Sequence, residues 1–222
     1  MDWEALWLTA RLATLVAAIL LLVSLPLAHW ITFSRRRWTF LVESIVSLPL
    51  VLPPTVLGFY LLVSFGARSP LGQLWMAWTG HSLAFTFEGL VVASLIYSLP
   101  FAVQPVAAAF AQVDPTLREA SATLGATPLR TFMRVVLPLS KQGVLTGVIL
   151  SFAHTVGEFG VVLMVGGNLP GITRTVSISI YDQVQALQYS DANHTALFLL
   201  AFSFTVLLVV HGLRRRPPAP LP

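Results

Sequence analysis

The stretch EASATLGATPLRTFMRVVLPLS, residues 119–140, is a polar, well-capped segment in the middle of a chain built mostly of apolar runs. Of the 222 residues, 56% are hydrophobic and only 10% are charged, and the mean hydropathy is +0.80. Soluble domains carry about 25% charged residues, so this composition predicts a protein that resides in a lipid bilayer. The absence of cysteine excludes disulfides, thiolate nucleophiles and Cys-ligated metals.

Five stretches of roughly 20 apolar residues are long enough to cross the hydrocarbon core of a membrane. They are Leu12 to Ile31, Ser44 to Phe65, Gly89 to Phe110, Gly143 to Val165 and Thr195 to Leu213. The sequence therefore predicts an all-α polytopic membrane protein with five transmembrane helices, forming a single domain over residues 1–213. The remaining residues, 214–222, read RRRPPAPLP and are expected to form a disordered tail.

The basic residues predict how these helices are oriented in the membrane. Ten of the thirteen lysines and arginines follow the first, third or fifth stretch, whereas Arg11, Arg68 and Arg174 fall on the opposite side. By the positive-inside rule the N-terminus is then outside and the C-terminus cytoplasmic. The outer loop from residue 66 to residue 88 is long enough for a short surface helix around residues 71–78. Because the net charge of +4 is explained by membrane topology, nucleic acid is not an expected partner.

The segment after the third stretch carries the signals of two short helices. Asp114 before Pro115 and Thr127 before Pro128 are both an N-cap followed by a proline at the first helical position. Gly125 is a natural stop for the first helix. We therefore expect helices at residues 115–124 and 128–137, a tight turn between them and a break at Pro138.

The second of these helices is predicted to be amphipathic. Its apolar stripe consists of Leu129, Phe132, Met133 and Val136, and Arg130 and Arg134 stand opposite. The spacing alone leaves two interpretations open. The hairpin either rests on the membrane with its arginines facing anionic headgroups, or docks into a groove on a cytoplasmic partner.

This segment resembles the EAA loop of ABC importer permeases. The resemblance rests on Glu119, Ala120 and Gly125, followed by an apolar helix that ends in Leu137 and Pro138, although Ser121 stands where the family often has a second alanine. It implies a type I ABC importer permease fold, in which this cytoplasmic loop, residues 114–138, inserts into the ATP-hydrolysing subunit. The residues to which it assigns ATPase coupling are Arg118, Glu119, Ala120, Gly125, Arg130, Leu137 and Pro138.

Two further stretches resemble a narrower group, the molybdate and sulfate permeases. They are SLPLVLPPTVLGFYLL at residues 47–62 and HTVGEFGVVLMVGGNLPGITRTVSISIY at residues 154–181. The Pro53–Pro54 pair and the string NLPGITRT look more like molybdate permeases than sulfate ones. The implied function is a permease that carries molybdate by alternating access. A sulfate, thiosulfate or tungstate permease is the alternative.

The resemblance also implies partners and a location. The permease is expected to form a homodimer that binds cytoplasmic ABC ATPase subunits and an extracytoplasmic molybdate-binding protein, surrounded by the lipid of the bacterial cytoplasmic (inner) membrane. The chain has no Walker-type phosphate loop, so ATP and magnesium are expected at the partner ATPase. No cofactor or metal is expected to be bound by this subunit itself.

Residues in the second and fourth stretches are candidates for the translocation pathway or its gate. Pro53 and Pro54 remove helix N–H donors, so the second span is expected to be kinked or broken there beside Gly58, facing protein or a water-filled path, with a kink for packing as the alternative. Glu158 lies about 15 residues along the fourth span, and its carboxylate should avoid lipid at a cost on the order of 3 kcal/mol. Because a carboxylate repels an oxyanion, Glu158 is interpreted as part of a gate or subunit contact, or as a satisfied structural carboxylate.

The remaining candidate residues either neighbour Glu158 or lie in the outer loop. His154 lies one helical turn away, and Gly157 and Gly160 permit the close helix approach of a homodimer seam. Asn168 and Arg174 are assigned to docking of the binding protein; for Arg174, attraction of an anion and a solvated loop arginine are the alternatives. Two other classes remain possible at this point: a passive anion channel, and an intramembrane enzyme that would have to use His154 with Glu158.

Overall fold

The computed structural model describes residues 2–34 and 36–214, which form helices and connecting loops and contain no strand. The first five helices are α1 (Trp3–Phe33), α2 (Thr39–Val51), α3 (Pro54–Phe65), α4 (Pro70–Thr79) and α5 (Phe87–Ala111). The next elements are α6 (Pro115–Thr123), α7 (Pro128–Thr131), a π-helical turn (Phe132–Val136) and α8 (Leu137–Leu139). The last four helices are α9 (Lys141–Gly157), α10 (Gly160–Gly166), α11 (Val176–Gln185) and α12 (Tyr189–Arg214).

Three helices, α1, α5 and α12, are each long and apolar enough to cross a membrane. Up to five spans result if each of two bent helix pairs counts as one. The pair α2–α3 bends by 111°, and the pair formed by Pro128–Leu139 and α9 bends by 72°. The structure thus supports a polytopic helical membrane protein with three to five spans.

The break between α2 and α3 lies at the predicted prolines. Leu52 leaves the helical conformation with ψ of 135°, and Pro53 follows at ψ of 135° before α3 starts at Pro54. Extended backbone before a proline is the expected geometry, because the pyrrolidine ring disfavours the helical conformation of the preceding residue. The prolines thus break the helix rather than only kink it.

The fourth predicted span is interrupted as well, which the sequence analysis did not anticipate. Helix α9 ends at Gly157, Glu158 is extended with ψ of 134°, and α10 begins at Gly160. Residues 143–165 are therefore not one continuous helix. Glu158 lies between two helices and not inside one, so its depth cannot be counted along a single helix axis.

The core is built around α1, α5 and α9, which pack against one another. One apolar cluster joins Leu12, Leu20, Leu90 and Val162, and a second, nearer the end of α5, joins Val103, Phe110 and Val136. Helices α5 and α9 approach closely at Gly147. A Cβ there would lie 2.7 Å from the Ala102 carbonyl oxygen. Small residues at such a crossing are typical of helix pairs in membranes.

Helix α12 has the exposure expected of a helix surrounded by lipid. In its most apolar 18-residue window only 11% of the residues are buried within the chain. Leu200, Phe204 and Leu208 are each more than half exposed. A bilayer covers such a surface at no cost, because lipid tails are as apolar as these side chains.

Candidate functional site

The predicted polar hairpin is present as α6 and the helical segment that begins with α7. The carboxylate of Asp114 accepts hydrogen bonds from the Thr116 backbone N–H at 2.9 Å and from its hydroxyl at 2.8 Å. These bonds hold the pKa of Asp114 below its ordinary value. At the start of α7, the hydroxyl of Thr127 accepts from the Arg130 N–H at 3.3 Å. Both predicted N-caps are confirmed.

A tight turn joins the two arms of the hairpin. Gly125 has φ of +77°, a left-handed conformation that favours glycine. Its N–H donates to the Ala122 carbonyl at 2.9 Å, and the hydroxyls of Ser121 and Thr131 lie 2.9 Å apart, which ties the arms together. The hairpin is thus a defined element with its own internal hydrogen bonds.

The second arm differs from the prediction at its C-terminal end. The sequence predicts a break at Pro138, but the helix continues through it to Leu139 and bends at Ser140. The N–H of Leu137 already donates to the Phe132 carbonyl, five residues back. This π-helical register precedes the proline, and single π turns in helices are frequent at functional sites.

The predicted coupling residues differ in their surroundings. Glu119, Ala120, Gly125, Arg130 and Pro138 are exposed, Leu137 is half-buried, and Arg118 turns inward. The hairpin also has apolar side chains that no other described residue covers, led by Leu124, 87% exposed, and Leu129, 71% exposed. Phe132 and Val136, in contrast, pack into the core beside Phe110. The predicted apolar stripe is therefore divided between the core and the outer surface of the hairpin.

The structure brings together four of the candidate pathway residues where the two broken spans meet. Helix α3 packs against α10. A Cβ placed on Gly160 would lie 2.6 Å from the Cβ of Pro54, and one on Gly58 would lie 2.8 Å from the Cβ of Met164. Pro53 and Pro54 are exposed at the bend. The small residues allow the two half-helices to touch, while part of the surface of the bend stays exposed.

Glu158 caps α10, the half-helix that follows the break in the fourth span. Its Oε1 atom accepts from the Val161 N–H at 2.7 Å, and its backbone carbonyl accepts a hydrogen bond from the Ser177 hydroxyl. The side chain is only 7% exposed. A carboxylate at a helix N-terminus satisfies free N–H groups and is favoured by the helix dipole. Within one chain, the carboxylate therefore stabilises the start of α10.

His154 occupies a separate polar contact between α9 and α5. Its Nδ1 atom lies 3.0 Å from the Ser98 hydroxyl, and its ring stacks on Phe101 with centroids 3.9 Å apart. The Ser98 hydroxyl also lies 3.0 Å from that of Thr155. The sequence analysis missed Ser98 as a partner of His154. The signal was Ser94 followed by Ser98 one helical turn later in an otherwise apolar span.

The two outer-loop candidates lie in one hydrogen-bonded group. The Arg174 Nε donates to the Asn168 Oδ1 at 2.6 Å, and the Asn168 amide donates to the Asp182 carboxylate at 2.6 Å. A salt bridge of 3.4 Å joins Arg174 to Asp182. The sequence analysis missed Asp182, which lies on α11. Arg174 therefore ties the loop to α11 and is not an isolated solvated side chain.

The chemistry that the described residues can perform is limited. Within residues 2–34 and 36–214, no three His, Asp or Glu side chains form a group able to hold a metal ion. Glu158 and His154 each have their own partners. The arrangement consists of a surface hairpin, two broken spans and a hydrogen-bonded outer loop.

Comparison with known proteins identifies the family. The sequence model described as binding-protein-dependent transport system inner membrane component matches residues 21–216. The chain is 50% identical over 214 residues to the molybdenum transport system permease protein ModB of Azotobacter vinelandii, covering 96% of this chain and 95% of that protein. It is 35% identical over 219 residues to the protein of the same name in Escherichia coli K12, with 96% and 94% coverage.

Solved structures share the fold at low sequence identity. A chain of the bacterial ABC transporter that imports the polysaccharide alginate aligns with a TM-score of 0.76 at 18% identity, covering 97% of this chain and 79% of that one. A chain of the MetNI methionine ABC transporter aligns with a TM-score of 0.70 at 17% identity, covering 97% of both. The fold is thus similar to that of type I ABC importer permeases. The chain belongs to the family of binding-protein-dependent transport system inner membrane components.

Proposed function

We propose that this chain is the membrane-spanning permease subunit of an ATP-driven importer of molybdate. The observation that carries the proposal is the 50% identity, over 96% of the chain, to a permease named for molybdenum transport. The division of the exposed hairpin surface from the core supports it, because a coupling element needs both a free docking face and a firm attachment to the spans. The chain itself is no enzyme, since its relatives are permease subunits.

Energy must come from a partner. Moving a dianion into a cell against the membrane potential costs about 4.6 kcal/mol per 100 mV, from about 2.3 per charge. The chain has no phosphate-binding loop, so ATP and magnesium are bound by separate ATPase subunits. We assign the docking face to exposed hairpin residues, with Leu124 at the turn 87% exposed. A passive channel would need no such face.

The rest of the assembly is proposed from the relatives and from charge. One solved neighbour is an alginate transporter in complex with its periplasmic binding protein. By analogy a molybdate-binding protein docks on the outer loops, near the Asn168–Arg174–Asp182 group. The positive-inside rule places the N-terminus outside and the hairpin in the cytoplasm, with five spans in the cytoplasmic membrane. Arg35, Arg215 and Arg216, which contribute to that count, and the predicted tail beyond residue 214 lie outside the described residues.

The function is tested by uptake into vesicles. The permease, its ATPase and its binding protein are reconstituted, and radiolabelled molybdate is followed with and without internal ATP. We expect uptake only with ATP and binding protein, and no competition by a hundredfold excess of sulfate. Uptake that continues without ATP would show a channel, and competition by sulfate or tungstate would reassign the substrate.

We also propose that two copies of the chain meet near Gly157 to enclose the pathway. Gly157 is exposed, and a Cβ there would meet no described atom within 4 Å, so a side chain can start at this position without a clash inside one chain. If a second copy packs against it, Gly157→Leu should lower the yield of complexes with two permease chains at least tenfold in native mass spectrometry. Gly212→Leu is the matched control, because Gly212 also faces open space. Equal behaviour of the two variants would place the seam elsewhere.

A further inference from the structure

Four aromatic rings form a closed cycle at the base of the hairpin. The His29 ring contacts Phe33 and Phe132 edge-on, with centroids 5.0 Å apart in each pair. Phe110 completes the cycle, 6.4 Å from Phe33 and 5.6 Å from Phe132. The rings come from three elements: α1 supplies two, the last turn of α5 supplies one, and the π-helical turn supplies the fourth. We call these four side chains the ring cluster.

Arg118 attaches α6 to this cluster. Its guanidinium carbon lies 4.3 Å from the centre of the Phe33 ring. Its Nε atom is buried and has no hydrogen-bond partner among the described residues. The face of Phe33 is therefore the attractive contact that this inward-turned cation makes. Such cation–π contacts gain strength where water is excluded.

The connection matters because α1 is not adjacent to the hairpin in the sequence. The hairpin continues directly from α5 and into α9, so a shift of the hairpin pulls on those helices through the backbone. Helix α1 ends at Phe33, about 80 residues earlier in the sequence. Movement reaches α1 through side-chain contacts, either from α5 and α9, which pack against it, or directly from the hairpin. Arg118 and Phe132, from the two arms of the hairpin, both meet rings of α1.

We propose that the ring cluster with Arg118 is the joint through which displacement of the hairpin is passed to α1, and that Arg118 is a positioning residue for coupling. The proposal rests on the proposed function. Docking of the ATPase moves α6 and the π-helical turn together, because the Ser121 and Thr131 hydroxyls tie the arms. The packed rings then carry α1 with them. Interlocked rings suit this task, since a close-packed core transmits displacement instead of deforming.

The test measures coupling separately from folding. The complete complex is reconstituted in vesicles, and molybdate imported per ATP hydrolysed is determined for Phe33→Leu, Arg118→Gln and the double variant. We expect each single variant to lower this ratio by about fivefold, the low end of measured coupling between sites, while ATP hydrolysis continues. The double variant should be no worse than Phe33→Leu alone, because that variant already removes the ring face that Arg118 contacts. Phe33→Tyr keeps the aromatic face and should keep the ratio.

Two control variants test whether the effect is specific to the ring cluster. Phe40→Leu and Arg36→Gln change an exposed ring and an exposed cation outside the cluster, and should leave the ratio unchanged. If Phe33→Leu fails to assemble, Arg118→Gln and Phe33→Tyr still decide the question. An unchanged ratio in Arg118→Gln, or effects of the two single variants that multiply in the double variant, would overturn the joint. Failure of the function itself would appear instead as wild-type vesicles without ATP-dependent uptake.

Discussion

Replacing Gly125 with valine should strongly reduce ATP-driven molybdate uptake while the protein stays in the membrane. Gly125 has φ of +77°, and a Cβ there would meet no described atom within 4 Å, so the obstacle to a side chain is the backbone conformation alone. A non-glycine residue in this conformation costs roughly 1–2 kcal/mol, and more for a β-branched one. Such a cost lowers the ratio of folded to unfolded hairpin turn by roughly 5- to 30-fold. We expect uptake into reconstituted vesicles to fall about fivefold or more.

Gly125→Asn is the matched control for this variant. Asparagine adopts the left-handed conformation more readily than other non-glycine residues, so the turn should persist and uptake should stay within about threefold of wild type. Binding of the ATPase, measured by co-purification, should be lost with valine and kept with asparagine. Equal uptake by the valine variant and wild type would show that the turn has no part in coupling.

The hairpin was predictable because its signals are local. Asp114 and Thr127 each precede a proline, and a glycine stands between the two helices, so capping and turn chemistry set the boundaries within a few residues. The π-helical turn was not predictable, since it depends on how Phe132 fits among rings from α1 and α5. Packing against distant segments can override local propensity at such a place.

The break at Glu158 shows a different limit. The hydropathy of residues 143–165 is that of one continuous span, and no proline marks the interruption. The carboxylate caps α10 and the Ser177 hydroxyl satisfies the freed carbonyl, but Ser177 lies on another helix. A backbone break in a membrane needs such partners, and a single sequence does not reveal which residues supply them. The same holds for Asp182, whose bond to Asn168 spans 14 residues.

Helices α3 and α10, where the two broken spans meet, leave no room for a side chain at Gly160. Gly160→Val should reduce molybdate uptake at least tenfold, because its Cβ would lie 2.6 Å from the Cβ of Pro54. Real Cβ atoms do not approach so closely, and a proline ring cannot rotate away, so α3 and α10 must separate. Overpacking of this kind costs typically about 1–3 kcal/mol. The displaced half-helices adjoin the exposed bend at Pro53 and Pro54, which are candidate residues of the translocation pathway.

A size exchange separates this steric cause from a general loss of folding. Gly160→Ala already brings the offending Cβ, and uptake should fall several-fold. Adding Pro54→Gly removes the opposing Cβ, so the double variant should recover a large part of the uptake that Gly160→Ala loses. Pro54→Gly alone must be measured beside it, because it also changes the first residue of α3. Recovery in the pair would mean that what the two broken spans require is room for their backbones to touch. If the double variant is as poor as the product of the two single ones, the glycine acts through some other neighbour and the α3–α10 contact does not control transport.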